Sequence, residues 1–158
     1  MNITLRKIKI VERLSEETQC YTAEVLLDGV KVADASNRGT GGCDDIYFKD
    51  QKVRKQIEDY AKTLPPVPNP YDAANPFPNS LEWIISDLLE KHAAEKHEAK
   101  VLAQKKRWCK DSTMFRLKGD KAGSYRGVKH VFTPAVKAHL VKTYGEKLEE
   151  ILNETLPA

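Results

Sequence analysis

Alternation of apolar and polar positions marks the first fifty residues as strands. Ile8 and Ile10 alternate with Lys7 and Lys9, and Tyr21, Ala23, Val25 and Leu27 alternate with Thr22, Glu24 and Leu26. Asp28-Gly29 separates Leu27 from Val30, a pair suited to a two-residue turn that needs positive φ. These signals predict a three-stranded antiparallel meander over residues 3–36, apolar on one face and wet on the other. The period then changes. Val53, Ile57, Tyr60, Ala61 and Leu64 recur at helical spacing behind Asp50, an N-cap residue, and predict a helix over 51–63 that covers the sheet. Val25, Leu27, Val32, Val53, Ile57 and Leu64 are the expected core of this β-β-β-α unit, residues 1–64.

Residues 65–79 break the pattern. They hold six of the eight prolines, which carry no amide donor and fix φ, so neither a helix nor a ladder runs through them. An extended connector is expected, with Tyr71 and Phe77 packing it to the surface. Asn79 with Glu82 three residues on forms a capping-box pattern, and Leu81, Ile84, Ile85, Leu88 and Leu89 follow on one stripe. The spacing predicts a helix from 80 to about 107, aliphatic in its first half and basic in its second. Such an exposed half is a spacer, a partner surface or a dimer arm, so a homodimer through 80–107 is one expectation.

Beyond it, Thr113, Phe115 and Leu117 alternate with Met114, Arg116 and Lys118, Gly119–Gly123 reads as a five-residue turn, and residues 125–130 alternate again. This predicts a hairpin in which Lys118 faces Ser124 and Arg116 faces Arg126. Thr133-Pro134 opens a helix lined by Val136, Leu140 and Tyr144, which Gly145 ends. Leu148, Ile151 and Leu152 predict a last amphipathic turn or two. The class is α+β: an N-terminal three-stranded antiparallel meander plus covering helix, a long central helix, and a C-terminal β-hairpin and helices. Residues 80–158 form the third segment, and one compact domain overall is expected for 158 residues. The β-β-β-α order resembles that of double-stranded-RNA-binding and arm-type DNA-binding modules. That resemblance is one of element order alone and implies no site residue here.

Charge sharpens the picture. Residues 96–130 carry eleven Lys and Arg against three Asp and Glu, a net +8 in a chain whose total is +3. A field separated this way attracts a polyanion. Two groups of residues are candidate ligand contacts. Arg107, Arg116, Lys118, Tyr125 and Arg126 combine cations with an aromatic ring, which suits phosphate and base contacts. Arg116 and Arg126, if opposed, repel unless an anion or carboxylate joins them. Arg38, Gly39, Thr40, Gly41 and Gly42 could instead converge backbone amides into an anion nest. That run lacks both the P-loop and the G-x-G-x-x-G spacing, and Asp44 and Asp45 follow it directly.

No nucleophile signature appears. Ser residues lack a G-x-S-x-G setting, and Cys43 sits beside two acids, which raise a thiol pKa. His92 and His97 are five apart and point to different helix faces, so neither a metal nor a cofactor is called for. Cys20, Cys43 and Cys109 are an odd, widely spaced set, and the stretch MNITLRKIKI lacks the continuous apolar segment expected of a secretory signal. Free thiols and a cytoplasmic location are expected, and no apolar run reaches the ~20 residues of a membrane span. The leading expectation is a non-enzymatic binder of nucleic acid or a nucleotide. The alternatives are a protein-interaction module or inhibitor, of the accessory type carried by phages and mobile elements, that engages an acidic protein partner, and an enzyme of unrecognised type.

Overall fold

The computed structural model describes residues 1–156, which divide between Ala93 and Ala94 into two compact units. In the first, β1 (Ile3–Ile10), β2 (Tyr21–Leu27), β3 (Val30–Asn37) and β4 (Asp45–Phe48) form one antiparallel sheet in that order. The Asp28-Gly29 turn joins β2 to β3 as expected, with φ of 49° and 86°. β4 was not legible: its four residues DIYF alternate too briefly to stand out, yet Ala33–Ser36 pair with Phe48–Asp45 in register. The meander is therefore four-stranded. β1 is interrupted between Arg6 and Lys9 by a bulge at Lys7, which holds a φ of 54°.

Helix α1 (Gln51–Ala61) begins where Asp50 caps it, its carboxylate accepting from the Lys52 amide at 2.8 Å. Val25 and Ile57 are fully buried in the core of this unit, with Tyr21, Ala33, Ala35 and Phe48. Leu27, Val32, Val53 and Leu64 are only half-buried. The connector folds back on itself, since Val67 and Phe77 exchange backbone hydrogen bonds at 2.9 Å. Phe77 stacks on Trp83 with ring centroids 6.5 Å apart. Tyr71, expected to pack down, is 94% exposed.

α2 runs from Leu81 to Asp111, four residues past its expected end, and the division between the units falls within it. Its cap is Ser80 rather than Asn79. The Ser80 hydroxyl accepts from the Trp83 amide at 3.4 Å, while Asn79 donates to the Pro65 carbonyl at 3.0 Å.

The second unit contains β5 (Thr113–Leu117), β6 (Arg126–Val128), α3 (Pro134–Tyr144), β7 (Leu148–Ile151) and the short α4 (Leu152–Thr155). Its sheet order is β6-β5-β7. Phe115, Leu117, Leu140 and Ile151 form its core, with Tyr144 tilted against Phe115 at 5.1 Å. The segment read as a final helical turn is thus mostly strand. Leu148 and Ile151 pack against β5, and only from Leu152 does the chain coil. Asn153 ties the unit together. Its carbonyl oxygen accepts from the Met114 amide at 2.8 Å, and its amide nitrogen donates to the carbonyls of Ser112 at 3.0 Å and Cys109 at 3.2 Å.

Candidate functional site

The hairpin register differs by one residue from the expected one: Phe115, not Arg116, lies opposite Arg126. Two local bonds set this. Asp120 accepts from the Leu117 amide through its side chain at 3.0 Å, and its own amide donates to the Leu117 carbonyl. The turn therefore closes at Leu117, before Lys118 can pair with Ser124. A one-residue slip moves a side chain to the other face, so the two arginines do not meet.

Each instead holds a carboxylate of the chain. Arg126 binds Asp120 through Nε at 2.9 Å and Nη2 at 2.7 Å, a two-pronged bond. That contact, with the Leu117 amide next in size, pulls the Asp120 carboxyl down to about 2, and it raises Arg126. Arg116 lies between Glu149 and Glu150 of β7. Its Nη2 donates to Glu149 at 3.3 Å and sits 3.5 Å from Glu150, whereas its Nε, 3.3 Å from Glu149, is misaligned for a hydrogen bond. Tyr125 completes the group. Its hydroxyl donates to Glu150 at 3.1 Å, and its ring lies under Lys105 at 5.4 Å and Arg116 at 6.0 Å. The anion that opposed arginines call for is supplied by the protein itself.

The cations that remain lie elsewhere. Lys96, Lys100, Arg107, Lys110, Lys118, Lys121 and Lys129 are exposed and have no ion-pair partner within 4 Å among the described residues. Four of them are on α2, at intervals of four, seven and three residues. At 100° per residue these positions fall within about 80° of one another, a single stripe about 21 Å long. Ala103, also exposed, fills the gap in it, and Asp111 at the helix end is the acid beside it. The half-buried residues of the same segment, Val101, Leu102, Lys105 and Cys109, centre on the opposite side. The sequence showed the charge density. Only the angular count along a helix of known length shows that the free charges share one face.

The glycine loop of the first unit has a different character. Asn37 is buried, and its side chain organises the turn: the oxygen accepts from Thr18 Oγ1 at 2.7 Å and the Gly39 amide at 2.9 Å, and the nitrogen donates to Asp44 at 3.0 Å and to the Gly42 carbonyl at 3.3 Å. The Gly41 amide donates to Thr18 Oγ1 at 3.2 Å, and the Gly39 carbonyl accepts from the amides of Glu16, Glu17 and Thr18. The Gly39 and Gly41 amides that an anion nest needs are thus already bonded within the fold. Arg38 and Thr40 are exposed.

Among the described residues no group of three or more His, Cys, Asp and Glu is placed to hold a metal ion, and no helix is long and apolar enough to cross a membrane. No protein-family model, curated protein or solved structure matches this chain.

Proposed function

We propose that this protein binds nucleic acid through the cationic stripe of α2, by contacts to the phosphate backbone. The observation that carries the reading is the unpaired state of Lys96, Lys100, Arg107 and Lys110 on one exposed helix face. Holding several like charges along one stripe costs repulsion, which a row of phosphates relieves. Backbone contacts of this kind position a ligand without reading its sequence. Arg116 and Arg126, committed to carboxylates, contribute rigidity to the hairpin more than affinity.

The test is fluorescence anisotropy with a labelled duplex over a salt series. Four released cations give a log–log slope of about −3.6, so affinity drops about 150-fold between 50 and 200 mM salt. Lys100→Gln/Arg107→Gln halves that slope to about −1.8, a drop of about 12-fold over the same range. Arg126→Ala leaves the slope near that of the parent. No binding at 50 mM, or a slope the double substitution does not change, rejects the stripe as a nucleic-acid site.

A further inference from the structure

A second site lies wholly within the first unit and rests on separate observations. A cleft of about 460 Å³ opens between the start of β2, the Gly42–Asp44 loop and the first three turns of α2. Its charged lining is acidic only: Asp44, Glu82 and Glu90 face it, and no Lys, Arg or His does. A cleft of one sign concentrates the opposite one. Trp83 supplies an aromatic wall, partly exposed at 41% and held by its stack on Phe77. Tyr21 also lines the cleft. It is 97% buried, and its hydroxyl has no hydrogen-bond partner. Burial first, and then the nearby Asp44 and Glu82 carboxylates, raise the pKa of that hydroxyl, so it stays protonated and neutral. Asp44 lies close enough to act on that hydroxyl but does not complete a hydrogen bond with it.

We infer that this cleft binds a linear aliphatic polyamine. Three features select that chemistry. The acids demand a cation, and Asp44 has one oxygen already satisfied by Asn37 while Glu82 and Glu90 have no ion-pair partner among the described residues. The acids are spread out. Glu82 and Glu90 stand eight residues apart on one helix, about 12 Å along its axis, with Ser86 midway. A compact metal ion cannot span that distance, whereas a flexible chain with an ammonium group near each end can. The apolar wall of Trp83 and Leu89 suits the methylenes between the charges, and the indole face attracts an ammonium directly. The Tyr21 hydroxyl, buried beneath the cleft floor without a hydrogen-bond partner, is the polar group that an ammonium settling there would satisfy.

Spermidine is the probe. In Trp108→Phe protein Trp83 is the sole tryptophan, and its fluorescence should change saturably as spermidine is added. A neutral diol of the same length and magnesium chloride at matched ionic strength should produce no such change. Glu82→Gln/Glu90→Gln, both at exposed positions, should weaken binding about tenfold, the combined effect of two partly exposed ion pairs. Tyr21→Phe removes only the unpartnered oxygen, so the unit folds, and it should weaken binding about fivefold. A response without saturation, an equal response to magnesium or the diol, or unchanged affinity in either variant overturns the inference.

Discussion

Asn153→Ala removes three hydrogen bonds at once, to Met114, Ser112 and Cys109. At about 1 kcal/mol net for each bond, and with the half-buried site letting water recover part of the loss, the expected cost is about 2.5 kcal/mol. For a chain of this length that corresponds to a fall in Tm of about 5–10 °C. Asn153→Asp is the sharper probe. It keeps the acceptor for the Met114 amide, but sets a carboxylate against two carbonyl oxygens. The charged form is disfavoured in the fold, so the folded pKa of that Asp lies above its ordinary value of about 3.9. The extra destabilisation is therefore full at neutral pH and vanishes as pH drops below that ordinary value, where the protonated carboxyl can donate. Calorimetry at pH 7 and pH 3.5 should show Asp melting below Ala at the higher pH and closing on it at the lower one. A change under about 1 °C for Ala, or Asp milder than Ala at pH 7, would refute the view that this side chain clamps the second unit.

Ile57→Ala, at a fully buried position, should cost about 2–5 kcal/mol in urea unfolding, and a loss below 1 kcal/mol would mean that α1 is not the lid of the sheet. The glycine loop should rank Gly39→Ala as the worst substitution, because a Cβ there meets the Leu14 carbonyl oxygen at 2.0 Å, which backbone cannot yield. Gly41→Ala should follow, since it meets the movable Glu17 carboxylate, and Gly42→Ala, with only its positive φ to resist it, should be mildest; thermal melts of the three give the order. Glu24, gripped first by Lys7 and also by Arg6 and Lys31, has its carboxyl lowered to about 2, as Arg126 does to Asp120. Their folded pKa values are depressed, so their stabilisation is present above the ordinary carboxylate range and is lost as pH falls through it towards 2. Glu24→Gln/Asp120→Asn should therefore flatten the acid limb of a stability-versus-pH curve, and an unchanged limb would show that these pairs add nothing.

Long, strongly periodic segments were legible in the sequence and short ones were not. Asp28-Gly29, the β2 and β3 alternation and the Asp50 cap carry their information locally, so they appear as read. β4 and β7 have four residues each, and their strand state comes from pairing with β3 and β5 rather than from propensity. The hairpin register turned on the side chain of Asp120, a contact that no periodicity encodes. For the candidate site, the concentration of charge in 96–130 was visible, but which cations the fold neutralises was not. Arg116 and Arg126 find their carboxylates across strands and turns, while the α2 stripe is left over only after that pairing is known. The acidic cleft joins residues more than sixty positions apart, such as Gln19 and Glu90, so no motif could announce it.

The interruption of β1 has a consequence for how this chain behaves in a crowded solution. Outer strands with free amides and carbonyls are templates onto which another chain can add, the first step towards fibrils. β1 is one outer strand of the first sheet, and its kink at Lys7 breaks the straight run of backbone groups where Arg6, Lys7 and Lys9 also place three cations. The opposite border, β4, is only four residues long, and β6 in the second sheet only three. Neither border of the first sheet offers the long, flat, uncharged rim on which intermolecular strands propagate. The backbone distortion at Lys7 thus interrupts the longer of this sheet's two outer strands, the one with the length to template such growth.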